Sequence, residues 1–95
     1  MVENEPLRPP DTKKLIRKIM KEGSVSYAEP HALERLEKHK MSMLDCTNIL
    51  RAGKAREGEW ENGEWRYQVF TGKMTVVIRF EDETELMIVT AWREK

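Results

Sequence analysis

Three arginines in the second half of this sequence have the greatest potential for chemistry. The predicted strand pattern places Arg66, Arg79 and Arg93 on one face of a sheet, together with Gln68 and Thr75. Guanidinium groups that are clustered on a rigid sheet can hold phosphate oxygens, and they can stabilise the charge that develops during phosphodiester cleavage. The sequence therefore predicts an anion-binding surface on this face.

Two glutamates leave a second interpretation of the same face open. The predicted hairpins place Glu59 opposite Arg66 and Glu64 opposite Arg79. Opposite charges in these positions form ordinary cross-strand pairs, which would neutralise the guanidinium groups. In that case the arginines would stabilise the sheet and would bind no ligand.

A second group of candidates lies on a predicted helix. His31, Arg35 and His39 are spaced by four residues, so one helix face carries all three. An imidazole can act as an acid or a base near neutral pH, with Arg35 as an electrostatic helper. The structural alternative is that His31 packs or caps locally and that His39 is merely solvated. Tyr67 is a further proton-transfer candidate, although the strand pattern places its ring in the core.

Metal and cofactor chemistry finds little support in the sequence. His31, His39 and the single cysteine, Cys46, match no zinc-binding spacing. The sequence contains neither a glycine-rich phosphate loop nor a nucleophile elbow. We therefore expect no metal site and no cofactor.

Periodicity predicts the elements that must position these side chains. Residues 1–11 contain three prolines and are expected to form a flexible lead-in, followed by a single domain over residues 12–95. Apolar residues at helical spacing predict three helices, which run from the Asp11 cap to Gly23, from Pro30 through His39, and from Ser42 to about Ala52. The segment 24–27 is either an edge strand or an extended link.

The remaining chain alternates with a period of two. Asn62-Gly63 predicts a hairpin that pairs Trp60 with Trp65, and a turn at Thr71-Gly72 predicts the next hairpin. A three-residue loop would then place Leu86, Ile88 and Trp92 on the core face, with Met87, Val89 and Arg93 on the arginine face. The predicted fold class is α+β, with two or three N-terminal helices packed on a four-stranded antiparallel sheet.

The charge of the chain is polarised although its formal net charge is zero. Residues 12–56 carry eleven Lys or Arg against five Asp or Glu, whereas residues 57–95 carry five against nine. The 95 residues suit one domain and include no apolar run of membrane-spanning length. With one cysteine and no signal-peptide pattern, we expect a soluble cytoplasmic protein.

Several segments resemble a known protein family. They are Lys13-Lys14-Leu15-Ile16, Gly23-Ser24-Val25, residues 43–50, the strand that begins at Gly72, and residues 86–95. Together they resemble the MqsR-like branch of the RelE superfamily, the toxins of bacterial type II toxin-antitoxin pairs, over about residues 12–95. The stretch from His31 to Arg35 also resembles a set of toxin-like domains encoded beside zinc-finger antitoxins.

The resemblance implies a RelE-like fold and metal-independent cleavage of mRNA, free or on the ribosome. It also implies inhibition by an antitoxin with a zinc-binding domain and a helix-turn-helix domain. Arg93 falls near a basic catalytic residue of the family and Tyr67 near a polar residue of its site, whereas Thr75 stands where that branch has a catalytic tyrosine.

Combining both lines of argument gives the expected site. The catalytic candidates are His31, Tyr67, Arg79 and Arg93, and the RNA-binding candidates are Arg35, Arg66, Gln68 and Lys73. The alternative function is a non-catalytic module that docks a protein partner through its sheet. Met87 and Val89 leave open whether a helix, a partner or a second copy of the chain, as in a homodimer, covers that face.

Overall fold

Three helices precede most of the sheet in the computed structural model of the protein, which describes residues 2–94. The helices are α1 (Pro9–Glu22), α2 (His31–Lys38) and α3 (Met43–Ala52). The strands are β1 (Ser24–Tyr27), β2 (Lys54–Ala55), β3 (Glu59–Glu61), β4 (Glu64–Thr71), β5 (Met74–Asp82) and β6 (Glu85–Arg93). Met1 and Lys95, which the predicted lead-in and domain included, lie outside the described residues.

Local signals account for the ends of the helices. α1 begins at Pro9, before the predicted Asp11 cap, because proline has a fixed φ and suits the first turn of a helix. At α3 the predicted start at Ser42 is confirmed, and a capping box forms there: the Ser42 hydroxyl accepts a hydrogen bond from the Asp45 amide, and the Asp45 carboxylate accepts one from the Ser42 amide. These bonds satisfy amide groups that the helix itself leaves without partners.

The predicted α+β class is confirmed, but the four-stranded antiparallel sheet is wrong. The sheet has six strands in the order β1-β6-β5-β4-β2, with β3 paired to β4, and β1 runs parallel to β6. Val25 lies beside Leu86 in this pairing, and β2 adds a short strand beside β4 at the other end. Because a parallel pair of strands joins distant parts of the chain, no turn residues in the sequence indicate it.

The hairpin registers match the sequence in part. Trp60 lies opposite Trp65 around Asn62-Gly63, as predicted. The next turn is Gly72-Lys73 and not Thr71-Gly72, so Tyr67 pairs with Ile78 and every predicted pair is shifted by two residues. Because side chains alternate with a period of two, this shift leaves each residue on its predicted face.

A β-bulge changes the last strand. Ile78 pairs with Ile88 but Val77 pairs with Thr90, so Val89 is an extra residue on β6. Leu86 and Ile88 therefore stay on the core face as predicted, whereas all later residues of the strand change sides. Ala91 is buried, and the predictions that Trp92 joins the core face and that Arg93 joins the arginine face are both wrong.

The helices pack on one face of the sheet and leave the other face uncovered. The core consists mainly of aliphatic residues of α1 and α3 against the inward residues of β4, β5 and β6. We call the uncovered side of β4, β5 and β6 the open face. No helix within residues 2–94 is long and apolar enough to cross a membrane.

The N-terminal segment belongs to the packed structure. Val2 is only 6% exposed, and Leu7 packs against the core cluster. Of the predicted flexible lead-in, the described residues 2–11 include the first residues of α1 and side chains that contact the core. The apolar side chains of this segment are too few and too widely spaced to produce a periodic pattern in the sequence.

Candidate functional site

The two arginines on the open face are held by carboxylates. Glu64 accepts a hydrogen bond from Arg66 Nε at 2.8 Å and another from Arg79 Nη1 at 2.5 Å. Arg79 Nη2 lies 2.7 Å from Glu81, and Arg66 Nη1 lies 3.8 Å from Glu61. The neutralising interpretation thus describes these arginines better than the anion-binding one. Glu59 lies opposite Arg66 in the sheet as predicted, but the carboxylates that contact the Arg66 side chain are those of Glu61 and Glu64.

The pKa of Glu64 reflects the contacts of its carboxylate with both arginines. Burial alone would raise the pKa of Glu64, but hydrogen bonds and charge attraction from Arg66 and Arg79 hold it below its usual value. Glu64 therefore stays ionised and compensates the two guanidinium groups. A phosphate bound here would compete with a carboxylate that is already in place.

The third arginine is directed away from this pair. Arg93 Nη2 lies 3.3 Å from the carbonyl oxygen of Lys40 and 3.9 Å from Asp45 Oδ2, both in the helical half of the molecule. The bulge at Val89 causes this placement. The sequence-predicted cluster of Arg66, Arg79 and Arg93 is consequently not formed.

Tyr67 lies in the core, where its side chain contributes to the packing of the protein. Its side chain is fully buried, its hydroxyl donates a hydrogen bond to Glu5 Oε2 at 2.7 Å, and it accepts one from the Leu7 amide at 3.1 Å. Burial, with a further contribution from Glu5, raises the pKa of Tyr67. A phenol in this position cannot reach a substrate on the surface, so the structure places Tyr67 away from any exposed proton-transfer site.

Gln68 and Lys73 lie at two separate places on β4 and its following turn. Gln68 is half-buried in a shallow groove of about 260 Å³ on the open face, where Trp92, Val77 and Thr90 also line the wall. Lys73 is exposed in the turn between β4 and β5. The structure does not bring them together.

His31 and Arg35 keep the arrangement that the sequence predicts for them. Both are exposed on α2, one helical turn apart, whereas His39 is half-buried just after the helix. Neither His31 nor Arg35 forms an ion pair within residues 2–94. Of the predicted catalytic and RNA-binding residues, His31, Arg35 and Lys73 are exposed and form no ion pair within residues 2–94, and His31 and Arg35 share one helix.

The part of the chain that the structure describes contains no group of three or more His, Cys, Asp and Glu side chains that could hold a metal. Cys46 is fully buried, and burial raises the pKa of its thiol to about 11. The thiol therefore stays protonated at neutral pH and acts as a small apolar group in the core.

A cluster of cations lies elsewhere, between α1, α3 and β2. Two adjoining depressions of about 290 and 460 Å³ share Arg17 as a common wall. Their cationic lining residues, which we call the basic groove, are Lys13, Arg17, Lys21, Arg51 and Lys54. Neither depression is lined by an acidic residue, so the basic groove is a continuous positive surface.

Among the described residues, the cations of the basic groove are not paired with carboxylates, although the buried Lys13 ammonium donates hydrogen bonds to the carbonyl oxygens of Leu50 and Arg51. Within residues 2–94, every ion pair involves Arg66, Arg79 or Arg93, and none involves a residue of the basic groove. Burial, and then the charge of Arg17, lower the pKa of Lys13. Such a surface attracts polyanions, because binding replaces this repulsion with contacts to phosphates and releases counterions.

Part of this surface was visible in the sequence. Arg17 and Lys21 are four residues apart, so the predicted helix from Asp11 to Gly23 places them one turn apart on the same face. Arg51 and Lys54 come from another helix end and a two-residue strand, so only the packing of α1 against α3 and β2 brings them beside Arg17.

We compared the chain with protein-family models, with curated proteins and with solved structures, and none of the three comparisons finds a match.

Proposed function

We propose that this protein binds RNA through the basic groove and acts on mRNA in the cytoplasm as the toxin of a type II toxin-antitoxin pair. The observation that carries the proposal is the segregation of charge: the open-face arginines are compensated by glutamates, whereas the cations around Arg17 are not. The toxin role itself rests on the resemblance of the sequence to MqsR-like toxins, with a RelE-like fold as part of that proposal.

The basic groove suits the backbone of RNA better than a compact anion. Its cations come from three elements and extend across two adjoining depressions, so they can contact several successive phosphates. Arg17 and Arg51 can donate paired hydrogen bonds to phosphate oxygens, whereas Lys21 and Lys54 act as point charges.

The proposed cleavage requires no metal and uses His31 and Arg35. The His31 imidazole would exchange protons with the reacting hydroxyl groups, and the Arg35 guanidinium would stabilise the charge on the phosphate. Both side chains are exposed and belong to one helix face. We assign no catalytic role to Tyr67, Arg79 or Arg93, because each is engaged in the contacts described above.

RNA binding is tested by titrating a labelled single-stranded RNA at several salt concentrations. The double variant Arg17→Gln/Lys21→Gln should weaken binding about tenfold or more and reduce the slope of log affinity against log salt by about 1.4. The control is Lys14→Gln/Lys18→Gln, which removes the same charge at the same spacing from exposed positions of α1 outside the basic groove. Equal losses in both variants would refute the assigned surface.

Cleavage is tested on the same RNA in the presence of a metal chelator. Wild-type protein should cut the RNA, and His31→Ala should slow cleavage by about a hundredfold or more while its RNA affinity stays unchanged. Growth arrest on expression, reversed by a neighbouring antitoxin, would support the toxin role. Intact RNA and normal growth with the wild-type protein would refute it.

The open face favours the second candidate function, a non-catalytic module that docks a protein partner through its sheet. Val77 and the half-buried Trp92 form an apolar strip beside Gln68, and the arginines around it carry no net excess charge. This candidate predicts that Trp92→Ala abolishes partner capture, and that the wild-type protein leaves both RNA and growth unaffected.

A further inference from the structure

The most exposed large aromatic side chain borders a pocket whose charged lining residues are mostly acidic. Trp60 is 61% exposed, and it borders a pocket of about 700 Å³ between the N-terminal segment and the β3–β4 hairpin. The pocket shares no lining residue with the basic groove. An exposed tryptophan beside a pocket of this size provides a flat surface that a ligand can cover.

Fixed elements form the walls of this Trp60 pocket. Trp65 packs edge-to-face against Trp60 with ring centroids 5.2 Å apart. Across the pocket, Val2 is buried and Glu5 accepts the hydrogen bond from Tyr67, so the N-terminal wall is anchored to the core. The pocket is therefore formed before any ligand binds, which keeps the entropic cost of binding low.

The charges around the pocket select a cationic ligand. Its charged lining residues are Glu3, Glu5, Glu64, Glu81 and Arg79, which amounts to four carboxylates and one guanidinium. The guanidinium is already engaged, because Arg79 contacts Glu64 and Glu81 through its two terminal nitrogens. Excess negative charge beside an exposed indole favours a guanidinium or ammonium group stacked on the ring.

We propose that the Trp60 pocket binds an arginine- or lysine-bearing segment of a partner protein, with one cationic side chain over Trp60. RNA is disfavoured because two of the lining carboxylates, those of Glu3 and Glu5, belong to no ion pair within residues 2–94, and these residues offer no group of three metal ligands. The pocket volume exceeds what one side chain requires, so it also accommodates the flanking backbone of a peptide. The Trp60 pocket is separate from the proposed RNA site, so experiments can support one proposal while they refute the other.

The test is a titration of a labelled, end-blocked peptide, Ala-Arg-Lys-Arg-Ala, followed by its fluorescence anisotropy. We expect binding at low ionic strength that weakens with added salt, and no binding of the matched peptide Ala-Gln-Gln-Gln-Ala. Trp60→Ala should weaken binding about fivefold, and Trp60→Phe should weaken it less, because a smaller aromatic face remains. Trp60 is exposed, so both variants should fold.

The charge contribution is tested with two matched double variants. Glu3→Gln/Glu81→Gln changes two pocket carboxylates, whereas Glu34→Gln/Glu37→Gln changes two exposed carboxylates on α2. The first pair should weaken peptide binding about tenfold and flatten its salt dependence, and the second should leave binding unchanged. Equal effects of both pairs, an unchanged affinity in Trp60→Ala, or no binding by the wild-type protein would overturn the proposal.

Discussion

The hydroxyl of Tyr67 and the carboxylate of Glu5 are joined by a 2.7 Å hydrogen bond across 62 positions of the sequence. The same hydroxyl accepts a hydrogen bond from the Leu7 amide, so one buried side chain fixes two residues of the N-terminal segment. Removing the hydroxyl would leave polar groups without partners at the edge of the core.

Tyr67→Phe should therefore destabilise the protein. We expect a loss of about 1–2 kcal/mol in the free energy of unfolding, measured by urea denaturation, because the hydroxyl both donates and accepts a hydrogen bond. The matched control is Tyr27→Phe on β1. If the two substitutions have the same effect, the Glu5 contact does not anchor the segment.

The same tyrosine should make stability depend on alkaline pH. Burial raises the folded-state pKa of Tyr67 above the ordinary value of 10.0. Its contribution is therefore fully present below about pH 10 and is lost as the pH rises further, since only the unfolded chain ionises readily there. The loss of stability above pH 10 should be smaller in Tyr67→Phe, as thermal denaturation across that range would show.

Lys13→Met should destabilise the end of α3. Lys13 Nζ donates to the carbonyl oxygens of Leu50 at 2.6 Å and Arg51 at 3.3 Å, where the helix leaves its carbonyls without partners. Burial opposes the charge, so the expected net loss is modest, about 1–2 kcal/mol by urea denaturation. Lys14→Met, on the exposed side of α1, is the control, and a Lys13→Met variant as stable as wild type would contradict the capping role.

Glu64→Gln should lower the stability of the protein at neutral pH. It should also make the stability decrease less when the solution is acidified. The two arginines hold the folded-state pKa of Glu64 below its usual value of 4.5, so the ionised carboxylate stabilises the fold above that pH. This contribution disappears as the pH falls through the lowered value. We expect a loss of about 1 kcal/mol at pH 7 and a shallower decline below pH 4.5, with Glu37→Gln as the control.

The sequence was most informative where structure is decided locally. Asn62-Gly63 located a hairpin because both residues adopt the positive φ that its turn requires, and Ser42 with Asp45 located the start of α3. The inward face of β4 was also predicted correctly despite the shifted turn. In each case a few neighbouring residues determine the geometry.

Long-range relationships were not predicted from the sequence. The parallel contact of Val25 with Leu86, and the pairing of Tyr67 with Glu5, join residues about sixty positions apart. The basic groove likewise combines α1 with Arg51 and Lys54. The compensation of Arg79 by Glu64 was one of the two interpretations that the sequence left open, whereas the separation of Arg93 from this pair follows from the bulge at Val89, which was not predicted.

The extra residue at Val89 gives β6 two different halves. Up to Ile88, the residues of β6 face the core and the open face alternately, in the predicted order. After Val89 this order is reversed, so Trp92 faces outward and Arg93 faces the helices. A strand that kept Val89 in regular alternation would exchange those two side chains, whereas a chain without Val89 would keep both on their present faces, because Ile88 and Thr90 already pair with the neighbouring residues Ile78 and Val77. The way the sheet accommodates Val89, as a bulge outside the pairing, thus decides which surface receives the final indole and which receives the final guanidinium.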